Sequence, residues 1–406
     1  MLRPRQERLL LTGPRLWGAV LGLAFDQLVA WGVLYYAYAI LSAPIAHDLG
    51  VSRLVVAGAF SVCLLVAGWV GRAIGPILDA RGTRGAMRLG AFVAPIALAA
   101  IALAGAPVGL VAGFVLLGVA QALALYEPAF RTVVHWCADE RTRSRALLLV
   151  TIVGGFASTV FLPLTTWLVE SLGWRGSTLA LAAVLAAVLV PARLLLPLPT
   201  RRAGRREVRS APALPSERML ALGLILHALA TTGVFLFLTW HLVEQGDSLA
   251  AAAGIAGLAG ASQVPGRILA APLRRLAGAR GFLSWLLLVQ AIALLVVAIA
   301  NGAGAIAGVV VLGAASGVMT LERATVVVEW YGRDAFGTHH GRLAAATSTA
   351  RAVSPFLVEA GHRVTSYAAV FAVLAVVLAL GAWSFVSATR LRQLEASTSA
   401  LGASIQ

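Results

Sequence analysis

The chain has 406 residues, 60% of them hydrophobic and only 12% charged, with a mean hydropathy of +0.88. A soluble domain carries about 25% charged and about 45–50% apolar residues, so this composition leaves no polar coat and excludes a soluble fold; lipid must be the solvent. The formal charge of +15 comes from Arg alone, as there is no Lys, and its spread over separate short segments excludes a nucleic-acid surface.

In chain order, basic Met1–Arg15 precedes an apolar run. That order mimics a secretory signal, but the run over 16–45 far exceeds a signal's apolar region of about 7–15 residues. It is read as an uncleaved first span. Further apolar spans fall at 53–78, 85–105, 107–136, 145–170, 175–198, 218–244, 248–273, 281–300, 304–330, 342–362 and 366–389. Each is long enough to cross a hydrocarbon core of about 30 Å at 1.5 Å per residue. Cys63 and Cys137 show no metal-ligand spacing and read as unpaired thiols.

The long polar break lies at 200–217, with Arg201, Arg202, Arg205, Arg206 and Arg209. It predicts a cytoplasmic linker between an N-terminal six-helix bundle, 1–199, and a C-terminal one, 218–406. Arginines crowd alternate connections: Arg81, Arg84 and Arg88; Arg141, Arg143 and Arg145; Arg274, Arg275 and Arg280; Arg333 and Arg342. The intervening turns carry Arg53, Arg175 and Arg363. Positive charge is retained on the cytoplasmic side, which puts both termini there and requires an even number of spans.

The halves repeat. Gly71-Arg72 recurs as Gly266-Arg267, and Glu127 recurs as Glu322 at the same offset. Even-numbered halves in one orientation form the parallel repeat of a two-bundle transporter, with its solute site near the midplane.

The segment Gly75-Pro-Ile-Leu-Asp79-Ala-Arg81-Gly82-Thr-Arg84 resembles the signature loop between the second and third spans of the major facilitator superfamily. The resemblance implies an all-α membrane fold of twelve helices in two pseudo-symmetric six-helix bundles. It also implies a cytoplasmic latch. Gly75 lets helices approach, Gly82 allows the tight turn, and Asp79 can accept helix N-terminal N–H groups or pair with Arg. Trp31-Gly32 to Ala43-Pro44 and Tyr331-Gly332 to Gly341 are similar to the monocarboxylate-porter and oxalate/formate-antiporter branch. Several family features are missing. The second-half loop has Arg274 or a neighbour where the latch Asp belongs, and Phe114 stands where many proton antiporters carry Arg. The Gly-Pro drug-antiporter signature is not recognisable around Gly154 to Pro163. The mid-span basic residue of carboxylate carriers is absent, Arg267 lying too near the span end.

Ionisable groups inside the bilayer cost at least about 2.5–3.5 kcal/mol and call for a partner, a wet cavity or a function. Asp26 lies near the middle of the first span with Tyr36 on nearly the same face. The pair reads either as a coupling site and solute contact, or as a buried Asp bracing a neighbouring helix. Glu127 and Arg131 share a face beside Pro128, placed to kink the helix. They read as a lock, Glu127 reaching Arg81, Arg84 or Arg145 and Glu322 reaching Arg274, Arg275 or Arg342. Arg323 requires a different partner. Arg351, deep in the eleventh span, is suited to a carboxylate by its planar fork or else pairs within the latch. His227 titrates near neutrality and is a coupling candidate or a simple hydrogen-bonded core residue.

No Walker loop, dinucleotide Gly loop or His-Glu-x-x-His occurs. The expected function is secondary active transport of a small organic anion such as a monocarboxylate by alternating access, without cofactor or metal. Protons are the expected coupling ion and a monomer the expected state, in a bacterial inner membrane. Proton-coupled efflux of an amphipathic compound is the alternative; a membrane-embedded sensor or enzyme stands outside the class.

Overall fold

A computed structural model describes residues 11–137, 139–199, 214–278 and 281–404; the side chains of Asp79, Ala277, Ala324, Val328, 331–341, Ala396 and 398–404 lie outside the described set. The described backbone is helical. The elements are α1 (Gly13–Trp31), a π turn (Gly32–Tyr36), α2 (Ala37–Asp48), α3 (Arg53–Arg81), α4 (Arg84–Ala102), α5 (Pro107–Ala124), α6 (Tyr126–Trp136) and α7 (Glu140–Gly155). They continue as α8 (Ala157–Leu195), α9 (Pro215–Glu244), α10 (Leu249–Ala277), α11 (Phe282–Ile299), α12 (Ala303–His362) and α13 (Tyr367–Ser404). Only helices and closed barrels satisfy every backbone polar group in hydrocarbon, so this apolar sequence has few other choices.

Local signals set the ends. Pro opens α1, α5 and α9 within the first two positions, where its missing N–H is not needed. Gly82 closes α3 with φ 76°, a left-handed conformation that favours glycine. Among the described residues nine helices are long and apolar enough to cross a membrane. One of these, Glu140–Leu195, is 56 residues long, and Gly173 at φ 66° turns the chain inside it.

Helical backbone is assigned through the stretch anticipated as a turn between 330 and 342, so α12 counts 60 residues. Arg323 and Arg351 of α12 nevertheless both lie within electrostatic reach of His227; a straight helix would hold them about 42 Å apart, so the chain reverses between them. The interval carries Gly but no Pro, so no residue in it lacks a helical donor.

The chain divides into two compact units: unit 1 is Met1–Arg206 with Ser248–Gly260, and unit 2 is Glu207–Asp247 with Ala261–Gln406. The first part of α10 therefore groups with unit 1. The linker arginines Arg201 to Arg209 lie outside the described residues.

Inside lipid the hydrophobic effect does not drive helices together; close packing and hydrogen bonds do. Small residues therefore sit at the contacts in both units. A Cβ on Gly113 would stand 2.7 Å from Ile101 of α4, and one on Gly308 would stand 2.8 Å from Val297 of α11. Gly118 of α5 abuts the Cys63 carbonyl of α3, as Gly317 of α12 abuts the Gln263 carbonyl of α10. Large apolar side chains face outward instead, with Trp69 77% and Leu276 85% exposed.

Candidate functional site

In unit 1 the first membrane helix is interrupted. Residues Gly32–Tyr36 form a π turn, a geometry that recurs at functional sites. The turn carries Tyr35 and Tyr36, packed edge to face at 5.2 Å, with Trp31 5.5 Å from Tyr35 and 4.9 Å from Tyr126. Tyr36, a predicted solute contact, is half-buried in this aromatic group. Gln121 of α5 donates to the Leu34 carbonyl inside the turn at 2.7 Å.

Asp26, one π-turn length below, is fully buried and ion-paired. Arg193 of α8 donates through Nε to Oδ1 at 2.8 Å and through Nη2 to Oδ2 at 2.9 Å. Its remaining bonds go to the Met87 and Ala124 carbonyls at 3.0 and 2.8 Å. Gln27 donates to Asp26 and to the Ala124 carbonyl at 3.0 and 2.8 Å. Sequence reasoning anticipated a bracing role as one of two readings of Asp26 and missed Arg193. An Arg in the apolar run of the sixth span was the available signal.

Of the predicted latch residues of unit 1, Gly75, Glu127 and Arg131 meet at α6. Glu127 pairs with Arg131 at 2.8 Å, not with Arg81, Arg84 or Arg145, because the i,i+4 partner is on its own face. Arg131 also donates to the Gly75 carbonyl at 3.1 Å. Arg84 and Arg88 instead cap the end of α8, donating to the carbonyls of Leu198, Arg193 and Leu194, where last-turn carbonyls need donors and the helix dipole favours a cation. Arg81 is exposed, and the Asp79 side chain is outside the described set.

In unit 2 the matching corner is an ion triad. Arg274 lies 3.2 Å from nearly buried Glu322 and donates to Glu329 at 2.6 Å. Glu322 thus meets one of its three anticipated partners; Glu329 was not foreseen.

Deeper in unit 2 the balance of charge reverses. His227 of α9 lies within electrostatic reach of Arg323 and Arg351, both on α12, and beside Gln290 of α11. Among the described residues the charged neighbour of Arg323 is another cation, Arg351. Arg323 Nε, His227 Nε2 and both polar atoms of Gln290 are buried without a well-formed hydrogen bond among the described residues. Arg351 itself is exposed. An imidazole, a carboxamide and the buried Nε of Arg323 therefore lie together, with the Arg351 guanidinium within electrostatic reach. A separate cleft of about 360 Å³ in unit 2, lined by Leu229, Val358, Val370 and Leu374 with Ser354, has no ionisable lining residue and suits hydrocarbon.

The sequence profile of the Major Facilitator Superfamily matches residues 21–311. A POT family transporter solved in complex with 5-aminolevulinic acid superposes with a TM-score of 0.75 at 13% identity, covering 92% of this chain and 96% of that one. A bacterial homolog of the human lysosomal transporter Spinster, inward-facing and occupied, gives 0.67 at 16% identity, covering 97% of each chain. A curated Thermoproteus tenax sequence, "Uncharacterized 38 kDa protein in 23S RNA operon", is 32% identical over 193 residues, 47% of this chain and 49% of that protein. The chain thus spans about half the length of the curated relative it matches.

Proposed function

We propose, from the premise that this chain belongs to the Major Facilitator Superfamily and is a multi-pass membrane transporter, that its solute is a small organic anion such as a monocarboxylate. One observation carries the reading: Arg323, whose buried Nε has no well-formed hydrogen bond among the described residues, lies beside His227 and Gln290 in unit 2, with a second cation, Arg351, within electrostatic reach. A buried cation without a counter-ion is expensive. A carboxylate neutralises it and accepts two parallel N–H bonds from a guanidinium. The donors left unused on Arg323 and Gln290 supply the remaining bonds.

The architecture supporting this reading is two six-helix bundles, 1–199 and 218–406, joined by the Arg-rich segment 200–217. Twelve crossings follow when Gly173 is taken as a turn, α10 is included, and α12 is divided into two crossings. The bundles alternate access by rocking. The Arg274–Glu322–Glu329 and Glu127–Arg131–Gly75 contacts act as cytoplasmic latches that form in one state and break in another. Protons are the coupling ion, with His227 as the proposed carrier, and the protein works as a monomer in the bacterial inner membrane without catalysis.

A second reading, proton-coupled efflux of an amphipathic compound, draws on the aromatic group Trp31, Tyr35, Tyr36 and Tyr126, which suits a ring-bearing body.

Thermal shift of the purified protein against carboxylates, sugars and amphipathic cations separates the readings. A monocarboxylate is expected to raise Tm in the parent protein and to lose at least about tenfold in affinity in Arg323→Gln and Arg351→Gln, about 1.4 kcal/mol. Stabilisation by cations alone, or by carboxylates equally in the parent and both variants, overturns the anion reading.

A further inference from the structure

Pro128 stands four residues after Ala124. In a continuous helix the amide of residue 128 would donate to the carbonyl of residue 124. Proline has no N–H, and its ring crowds that carbonyl. The helix indeed stops there: Leu125, between α5 and α6, is extended at φ −84° and ψ −161°. The freed Ala124 carbonyl lies inside the protein and must find other donors.

It finds two. Gln27 Nε2 and Arg193 Nη2 each donate to Ala124 O at 2.8 Å. Arg193 is held in place by both carboxylate oxygens of Asp26 and by the Met87 carbonyl at 3.0 Å. The side chains of Asp26, Gln27 and Arg193 are all fully buried. The bracing is reciprocal, since α5 returns Gln121 to the Leu34 carbonyl in the π turn of the first membrane helix. Each interrupted helix therefore receives a glutamine from the other.

We propose that Arg193 is the positioning residue of the broken fourth membrane helix: with Gln27 it replaces the hydrogen bond that Pro128 removes, and Asp26 serves as its counter-ion. The replacement fixes where α6 leaves the line of α5. That exit places Tyr126 against Trp31 at 4.9 Å and sets Arg131 within reach of the Gly75 carbonyl. Arg193 acts on the Trp31–Tyr126 contact and on the corner of Arg131 with Gly75 through α6, without touching a solute. This inference holds whatever the solute is.

The test restores the missing donor. Hydrogen–deuterium exchange and Tm are measured on the full chain in lipid nanodiscs for the parent, Asp26→Asn/Arg193→Met, Pro128→Ala and the triple variant. The neutral double variant removes the clamp without stranding a charge. It is expected to speed exchange at Leu125–Thr132 by at least about tenfold and to lower Tm by several degrees. Pro128→Ala supplies an amide for Ala124 O. In the triple variant it should return protection to that segment and recover at least half of the lost Tm. Equal losses with and without Pro128→Ala overturn the proposal, since the clamp would then hold the bundle together and not the break. Should the double variant fail to assemble, Gln27→Leu removes one of the two bonds without a charge change. A local rise in exchange at Leu125–Thr132 that Pro128→Ala reverses supports the proposal; no rise, or one spread over the whole unit, overturns it.

Discussion

Asp139 precedes the first turn of α7 and accepts a hydrogen bond from the Thr142 amide at 2.8 Å, satisfying one of the orphan donors of a helix start. The bond from Thr142 holds the Asp139 carboxyl below its ordinary value. A depressed folded-state value means that the carboxylate stabilises this end at all pH above the unfolded value, and that the contribution fades as pH falls through the folded one. Exchange of the Arg141–Arg143 amides, corrected for intrinsic rates, is therefore expected to be flat between about pH 8 and 5 and to quicken only below about pH 4, as pH falls from the ordinary carboxyl value of about 3.9 through the lower folded one. Asp139→Asn still caps but does not titrate, and should abolish the acid-side change. An identical acid response in that variant would place its origin elsewhere. Asp139, Asp26 and Arg323 differ in what the sequence discloses. A cap is local, so Asp before Glu140 signals it. The partner of Asp26 and the charged neighbour of Arg323 lie 167 and 28 positions away, and no spacing rule connects them.

The helices themselves were legible because lipid demands about 20 apolar residues per crossing, and that signal needs no tertiary information. The packing repeat was legible only in part. Gly71 and Gly266 stand 195 positions apart and look equivalent in sequence. In α10 a Cβ on Gly266 would strike the Ala314 carbonyl of α12, whereas Gly71 of α3 has open space around it. The contact that does correspond at that spacing is that of Gly113 with Gly308, and it needs the neighbouring helix to be seen. Gly266→Ala is therefore expected to destabilise by about 1–3 kcal/mol through overpacking, a loss of a few degrees in Tm for a unit of this size. Gly71→Ala should be neutral or stabilise by about 0.5–1 kcal/mol, since Ala is the better helix former. Equal effects at the two positions would mean that the sequence repeat, and not the observed contacts, governs close approach. The breaks were half legible as well: Pro128 announces a kink, but nothing in the sequence announces the π turn at Gly32–Tyr36, which is identified by its hydrogen bonds alone.

At the scale of the whole chain, charge asymmetry makes a prediction about sidedness. Arg81, Arg84, Arg88, Arg141, Arg143 and Arg145 lie at one set of helix ends, Arg53, Arg175 and Arg363 at the other. Arg175 pairs with Asp48 at 2.9 Å and donates to the Ala102 and Ala104 carbonyls. The uneven count of arginines predicts that both halves insert with their arginine-rich turns in the cytoplasm. With Cys63 and Cys137 replaced by Ala, single cysteines at Ser52 and Thr365, both exposed, should react in intact cells with a membrane-impermeant maleimide. Cysteines at exposed Ser144 and at Ser210 of the linker should react only after the membrane is opened. If Ser144→Cys and Ser210→Cys fall on opposite sides, the halves do not share an orientation, and a parallel two-bundle transporter is no longer tenable. If all four positions invert together, the bundles stand but the latch contacts of Arg131 and Arg274 face the outside, and their part in gating moves to the other end of the transport cycle.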